Sequence, residues 1–190
     1  MVKPKYQRAL LEHVVSRIEI HEFDASALFA ELDAQRLSRG LSWPQVANQI
    51  WEMSSALNDR RHDHPISPST ITSMGRRRNI SCQHALFFLR WLGRSPESFL
   101  RGVGANGAPL PSVGPDRRPR WDLKRTYEAL DARRREEKVT WPPLALILRC
   151  TPSQLTGLKR ARFAMGMRLA MRITQWLERP AADFVYAATC

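Results

Sequence analysis

At 190 residues with 43% hydrophobic side chains, the chain has room for one large domain or two small ones with packed cores. No apolar run approaches the roughly 18 uncharged residues of a membrane-spanning helix, and the N-terminus lacks the basic start, apolar stretch and small-residue cleavage site of a secretory signal, so a cytoplasmic protein with no membrane partner is expected. Thirty Lys and Arg against eighteen Asp and Glu, a net +12, favour a polyanionic partner over a small molecule.

Residues 1–22 form an N-terminal extension with two open readings: Tyr6 to Val15 has the spacing of a short amphipathic helix, and Val14 to Phe23 equally that of a strand. From Phe23 onward the chain contains one unit twice. Phe23-Asp24 matches Trp121-Asp122, Leu32-Asp33-Ala34 matches Leu130-Asp131-Ala132, and Trp43-Pro44 matches Trp141-Pro142, all at a shift of 98 residues. Ser67-Pro68-Ser69 then matches Thr151-Pro152-Ser153 at a shift of 84, and Trp91-Leu92 and Phe99 match Trp176-Leu177 and Phe184 at 85. The first unit, 23–100, therefore carries a 14-residue insertion, about 51–65, that the second, 121–190, lacks.

Each unit opens on a helix capped by Asp24 or Asp122, with the preceding aromatic placed to staple the turn. A second helix starts at Ser42-Trp43-Pro44 and at Thr140-Trp141-Pro142, and a third at Ser67-Pro68 and Thr151-Pro152, where a hydroxyl caps free amides and proline is tolerated in the first turn. Part of the insertion reads as an extension of the second helix through Trp51, Met53 and Leu57. Fourth helices run from about Ser81 to Gly93 and from about Met165 to Leu177. Short fifth elements follow at Pro96 to Leu100 and Pro180 to Val185, each with a Phe as core plug. Nothing reads as a sheet, and the eight Gly and Pro between 101 and 120 read as a flexible linker.

These features, above all the Leu-Ser-Trp-Pro-Gln-Val-Ala stretch of Leu41 to Ala47, the Ser-Pro-Ser-Thr-Ile-Thr stretch of Ser67 to Thr72 and the Leu-Gly helix end at Gly93, resemble the lambda-repressor-like, or XRE-type, helix-turn-helix regulators. The similarity spans about 23–100 and 121–185. It implies an all-α fold of two tandem lambda-repressor-like helix-turn-helix bundles joined by a Gly/Pro-rich linker, with the third helix of each in a DNA major groove. Two departures stand out. Trp43 and Trp141 occupy the first position of helix two, where relatives often carry a phosphate-bracing Gln, and a packing role suits them better. Arg149 stands where the turn usually has glycine.

The resemblance assigns base reading to polar groove-facing positions of helix three, Ser69, Thr70 and Ser73 in one unit and Ser153, Gln154 and Lys159 in the other, while Ile71, Met74, Leu155 and Leu158 turn to the core. Gln154 is the sharpest, since its amide can meet adenine bidentately. Arg76, Arg77, Arg78, Arg160 and Arg162 are placed for phosphates. Arg117, Arg118 and Arg120 end the linker as an arm for phosphates or a minor groove, or as a disordered basic tether. The second unit carries 13 cations against 7 anions over 121–185 and the first 9 against 7 over 23–100, so the second should bind harder.

Twenty flexible residues span about 25 Å on average and about 70 Å at full stretch, against about 34 Å between adjacent half-sites. One monomer carrying two DNA-binding units is therefore expected to occupy two neighbouring groove segments of an asymmetric site, with a homodimer as the alternative assembly. The expected function is sequence-specific double-stranded DNA binding by a nucleoid-associated transcriptional regulator, a repressor by default. A protein-interaction module that has lost DNA binding in one or both units is the rival. No enzymatic signature, cofactor or metal is expected: the His62-Asp63-His64 cluster supplies too few ligands. Cys82, Cys150 and Cys190 are too far apart for a zinc site and read as reduced structural thiols.

Overall fold

The structure, a computed structural model, describes residues 19–62, 66–77, 79–103, 107–161 and 164–189, with backbone only at 76 and 77. Among the described residues it is mostly helical, with one two-stranded sheet. The alternative readings of residues 1–22 and the Asp63-His64 pair lie largely or wholly outside these residues.

Helix α1, Ala25–Ser38, begins where the Asp24 carboxylate accepts from the Ser26 and Ala27 amides, and it buries Ala25, Leu28 and Leu32. Helix α2, Trp43–Glu52, starts in a full capping box: Gln45 N–H donates to the Ser42 hydroxyl and the Ser42 amide to Gln45 Oε1. The expected extension of α2 into the insertion reaches Trp51 and Glu52 but stops short of Met53 and Leu57, the helix breaking at Met53 and Ser54. A separate helix, α3, Ser55–Arg61, follows and buries Leu57 and Asn58. Helix α4, Pro68–Arg77, turns Ile71 and Met74 inward. Helix α5, Cys82–Leu92, is capped by Ser81 and stopped at Gly93, whose φ of 65° lies in the left-handed region that favours glycine. A 3-10 turn, Pro96–Phe99, then seats Phe99 in the core.

The second unit repeats this series as α6, Leu123–Glu136, α7, Trp141–Ile147, α8, Pro152–Gly157 with a 3-10 turn Leu158–Arg160, α9, Met167–Leu177, and a 3-10 turn Ala181–Phe184. The repetition extends to side-chain geometry. Phe29 stacks on Trp43 and Tyr127 on Trp141, both at 5.5 Å between ring centres, with Arg36 and Arg134 over the respective indoles at 4.8 and 4.4 Å. Both indoles therefore pack, as their sequence setting indicates. The amides of Asp24 and Asp122 donate to Phe99 and Phe184 carbonyls at 2.8 and 2.7 Å, closing each unit in the same way.

That closure produces the sheet the sequence did not suggest. Seating Phe184 brings the chain after it beside the residues that precede α6, and β1, Arg118–Trp121, pairs antiparallel with β2, Val185–Ala188, from Arg118↔Ala188 to Trp121↔Val185. The first unit has the equivalent pairing as a single bridge, Phe23↔Leu100.

The Gly/Pro-rich stretch is likewise not a free tether over its C-terminal part. The Leu57 amide donates to Pro115 O, the Ser54 hydroxyl to Arg117 O at 2.8 Å, and Arg90 of α5 reaches Met53, Val113 and Gly114 carbonyls while its Nη1 donates to Ser54 Oγ. Hydrogen-bonding groups that a linker would leave to water are satisfied by the first unit instead. Buried side chains of both units form one continuous core. Residues 19–22, assigned to the N-terminal extension, join in: the His21 backbone bonds Gln175 of α9 through both its N–H and its carbonyl, and Glu22 accepts from Arg149 and from both Arg172 Nε and Nη2.

Burial pushes the Glu22 carboxyl up, but the Arg172 and Arg149 guanidiniums outweigh it and hold the group below the usual carboxylate range. A carboxylate with a depressed folded-state pKa contributes stability that is complete above its unfolded value and is lost as pH falls through the folded one. Glu22→Gln should therefore lower unfolding free energy by about 1–2 kcal/mol at pH 7, with the difference from the parent closing below roughly pH 4, as read from urea midpoints at the two pH values. Arg118, 3% exposed, donates through Nε and Nη2 to the Asn58 side-chain oxygen. Arg118→Ala strands that buried oxygen and should cost about 2 kcal/mol by the same measurement.

Candidate nucleic-acid interface

Alternation between core and solvent is sharpest on α8. Leu155 and Leu158 are buried, whereas Thr151, Ser153, Gln154, Thr156, Lys159 and Arg160 are all exposed, so the inward positions anchor the helix and the outward ones form a polar and cationic face. The approach to α8 is short. After α7 ends at Ile147, Leu148 to Thr151 turn the chain, and Arg149 takes a φ of 50°, the conformation glycine would occupy at least cost. Its ion pair with Glu22 at 2.6 Å accompanies that conformation.

Three of the sequence-assigned readers, Ser153, Gln154 and Lys159, are thus all exposed. Gln154 is partly committed, however. Its Oε1 accepts from the Thr151 amide at 2.9 Å and faces the Thr151 hydroxyl, completing a capping box. Bidentate reading of adenine needs that oxygen as an acceptor, so only the Nε2 donor stays outward with the cap intact.

On α4 the picture is more self-contained. Ser69 is exposed, but its hydroxyl meets Ser67 Oγ at 2.9 Å, Thr70 Oγ1 meets the same Ser67 oxygen at 2.9 Å, and Ser73 donates to the Thr70 carbonyl at 3.0 Å. Thr70 and Ser73 are half-buried. These hydroxyls are held by their own turn. The backbone of Arg76 and Arg77 closes α4, while their side chains, with Arg78 and Arg162, lie outside what the structure describes.

The expected basic arm at the linker end is not an arm. Strand pairing fixes its backbone, Arg118 points into the first unit, and Arg120 meets Gln83 Oε1 of α5 at 3.2 Å. Arg117 alone of the three is exposed, beside Asp116. Arg118 is corrected from a phosphate contact to a buried structural cation, because sheet registry rather than charge decides where it points.

Burial disfavours the thiolate at both described cysteines. Burial raises the Cys82 thiol far above its usual value, and it raises Cys150 to about 11 despite the nearby Arg172 cation. Among the described residues no helix is long and apolar enough to cross a membrane. What sequence reasoning missed was the seam: Gln83, Gln175 and Glu22 make the contacts between units, and no local pattern marks them. Compared with protein-family models, curated proteins and solved structures, the chain matches none.

Proposed function

We propose that the chain is a sequence-specific double-stranded DNA-binding protein built from two lambda-repressor-like helix-turn-helix units, α7 to α8 in the second unit and α2 to α4, interrupted by α3, in the first. The observation that carries this reading is α8. It is a short helix anchored by Leu155 and Leu158, reached through a tight turn at Arg149, with every other side chain from Thr151 to Arg160 except Gly157 turned to solvent. A cationic end at Lys159 and Arg160 suits backbone phosphates, and polar residues toward its start suit base edges. The excess of cations in the second unit supports it as the stronger contact, and α4, whose hydroxyls are bonded within their own turn, as the weaker. Transcriptional repression follows as the simplest use, by occupying DNA that polymerase needs.

The test is the salt dependence of duplex binding by the full chain. Lys159→Ala and Arg160→Ala should each weaken binding to all sequences and reduce the slope of log K against log salt by about 1, measured by fluorescence anisotropy between 50 and 200 mM salt. Unchanged slopes in both variants would remove α8 from the interface. Gln154→Glu keeps a carbonyl-type oxygen for the Thr151 cap but removes the outward amide donor. It should leave thermal stability within about 0.5 kcal/mol of the parent and lose roughly 1–3 kcal/mol of discrimination at one base pair.

A further inference from the structure

The contact that joins the two units is symmetric. The Cys82 N–H donates to Met165 O and the Met167 N–H donates to Ile80 O, both at 2.8 Å, so Ser81 and Gly166 face each other across an antiparallel bridge. In the register that equates Trp91 with Trp176 and Phe99 with Phe184, Ser81 is the equivalent of Gly166, Ile80 of Met165 and Cys82 of Met167. Exchanging the units carries each of the two hydrogen bonds onto the other. A patch that meets its own equivalent in this way is related by a two-fold rotation.

The flanking contacts are of the same kind on both sides but do not share one register. Residues 118–121, just before α6, reach across to α5, where Gln83 Nε2 donates to Pro119 O at 2.8 Å. The equivalent residues before α1 reach across to α9, where His21, the equivalent of Pro119, exchanges hydrogen bonds at 2.8 and 2.9 Å with Gln175, the equivalent of Arg90 rather than of Gln83. At the bridge, the units thus meet as the two halves of a symmetric dimer would, but within one chain.

The bridge also bounds how far apart the candidate reading helices lie. Helix α4 ends at Arg77, four residues before Ser81, and the turn after α8 ends at Arg160, six residues before Gly166. At no more than about 3.6 Å per residue on each side of the bridge, their C-terminal ends lie within roughly 40 Å of each other. One turn of duplex, about 34 Å, falls inside that limit.

Resting on the DNA-binding reading, we infer that a single chain acts as a covalent pseudo-dimer whose target is one DNA site of two non-identical half-sites in inverted orientation at fixed spacing. The two-fold relation excludes the direct repeats and variable spacings that two units on a flexible tether would accept. It also removes the need for a second copy of the chain. The half-sites differ because α4 and α8 carry different side chains, while the rotation sets their opposed direction.

The experiment is selection from random duplex DNA with the full chain, followed by binding to altered versions of the selected site. One chain per duplex is expected. Reversing one half-site, or inserting five base pairs between the two, should weaken binding by about 10²-fold, to that of a lone half-site. A selected direct repeat, unchanged affinity after the insertion, or two chains per site would overturn the pseudo-dimer while leaving DNA binding intact. Absence of any enriched sequence would overturn the DNA-binding reading and this inference with it.

A lock at the seam gives an independent check. Ser81 and Gly166 form a non-hydrogen-bonded antiparallel pair, with Cα atoms near 4.5 Å, inside the range a disulfide spans. A Cβ added at Gly166 would meet nothing closer than 3.6 Å. Ser81→Cys with Gly166→Cys, in a chain also carrying Cys82→Ala, Cys150→Ser and Cys190→Ser, should bind the selected duplex within about twofold of its reduced form once oxidised. A tenfold or larger loss on oxidation, reversed by a thiol reductant, would show that the units part to bind and would overturn the fixed arrangement.

Discussion

Burial of α5 and α9 against each other and against both units is the constraint on which the rest of the fold depends. Seven of the eleven residues of α5 and eight of the eleven of α9 are buried, far more than one apolar stripe requires. Helices of that kind need cover on more than one side. A bundle of about 70 residues buries a limited share of its surface and is marginal alone, and merging two such bundles around a pair of shared helices supplies the missing interior. The bridge at Ser81 and Gly166 then satisfies backbone groups that the merger would otherwise strand.

Once the core is shared, the connection between units loses its freedom. Arg90, half-buried, has its guanidinium pKa lowered by that burial and spends its donors on Met53, Ser54 and Val113. Those contacts hold 113–117 against α3 and α5, and Arg118 continues the same strap into the sheet. A stretch with the composition of a tether thereby becomes a brace.

The same geometry sorts the charge. A net +12 suggests a uniformly attractive surface, yet many of the cations are consumed internally: Arg172 and Arg149 by Glu22, Arg134 by Asp131, Arg36 by Asp33, Arg118 by Asn58. Lys159 and Arg160 are exposed on an otherwise polar helix face. Affinity for a polyanion follows from cations that remain in water until the partner displaces their counterions, which is why placement matters more than the total.

Local chemistry was legible before any coordinates. Asp24, Ser42, Asp122 and Thr151 cap helices as expected because a side-chain oxygen beside free amides acts within a few residues, whereas Thr140 stands at the expected N-cap of α7 without a side-chain hydrogen bond, and the repeat register located the paired helices because equivalent residues meet equivalent neighbours. Core positions such as Leu155 and Leu158 are those that the family resemblance and helical period together lead one to expect. Only the tertiary structure decided the sheet, the buried Arg118, the Glu22 ion pairs and the two-fold seam. Each depends on groups 60 to 150 residues apart in sequence, as with Arg118 and Asn58 or Arg172 and Glu22, and no local pattern of polarity encodes which distant surfaces a shared core will bring together.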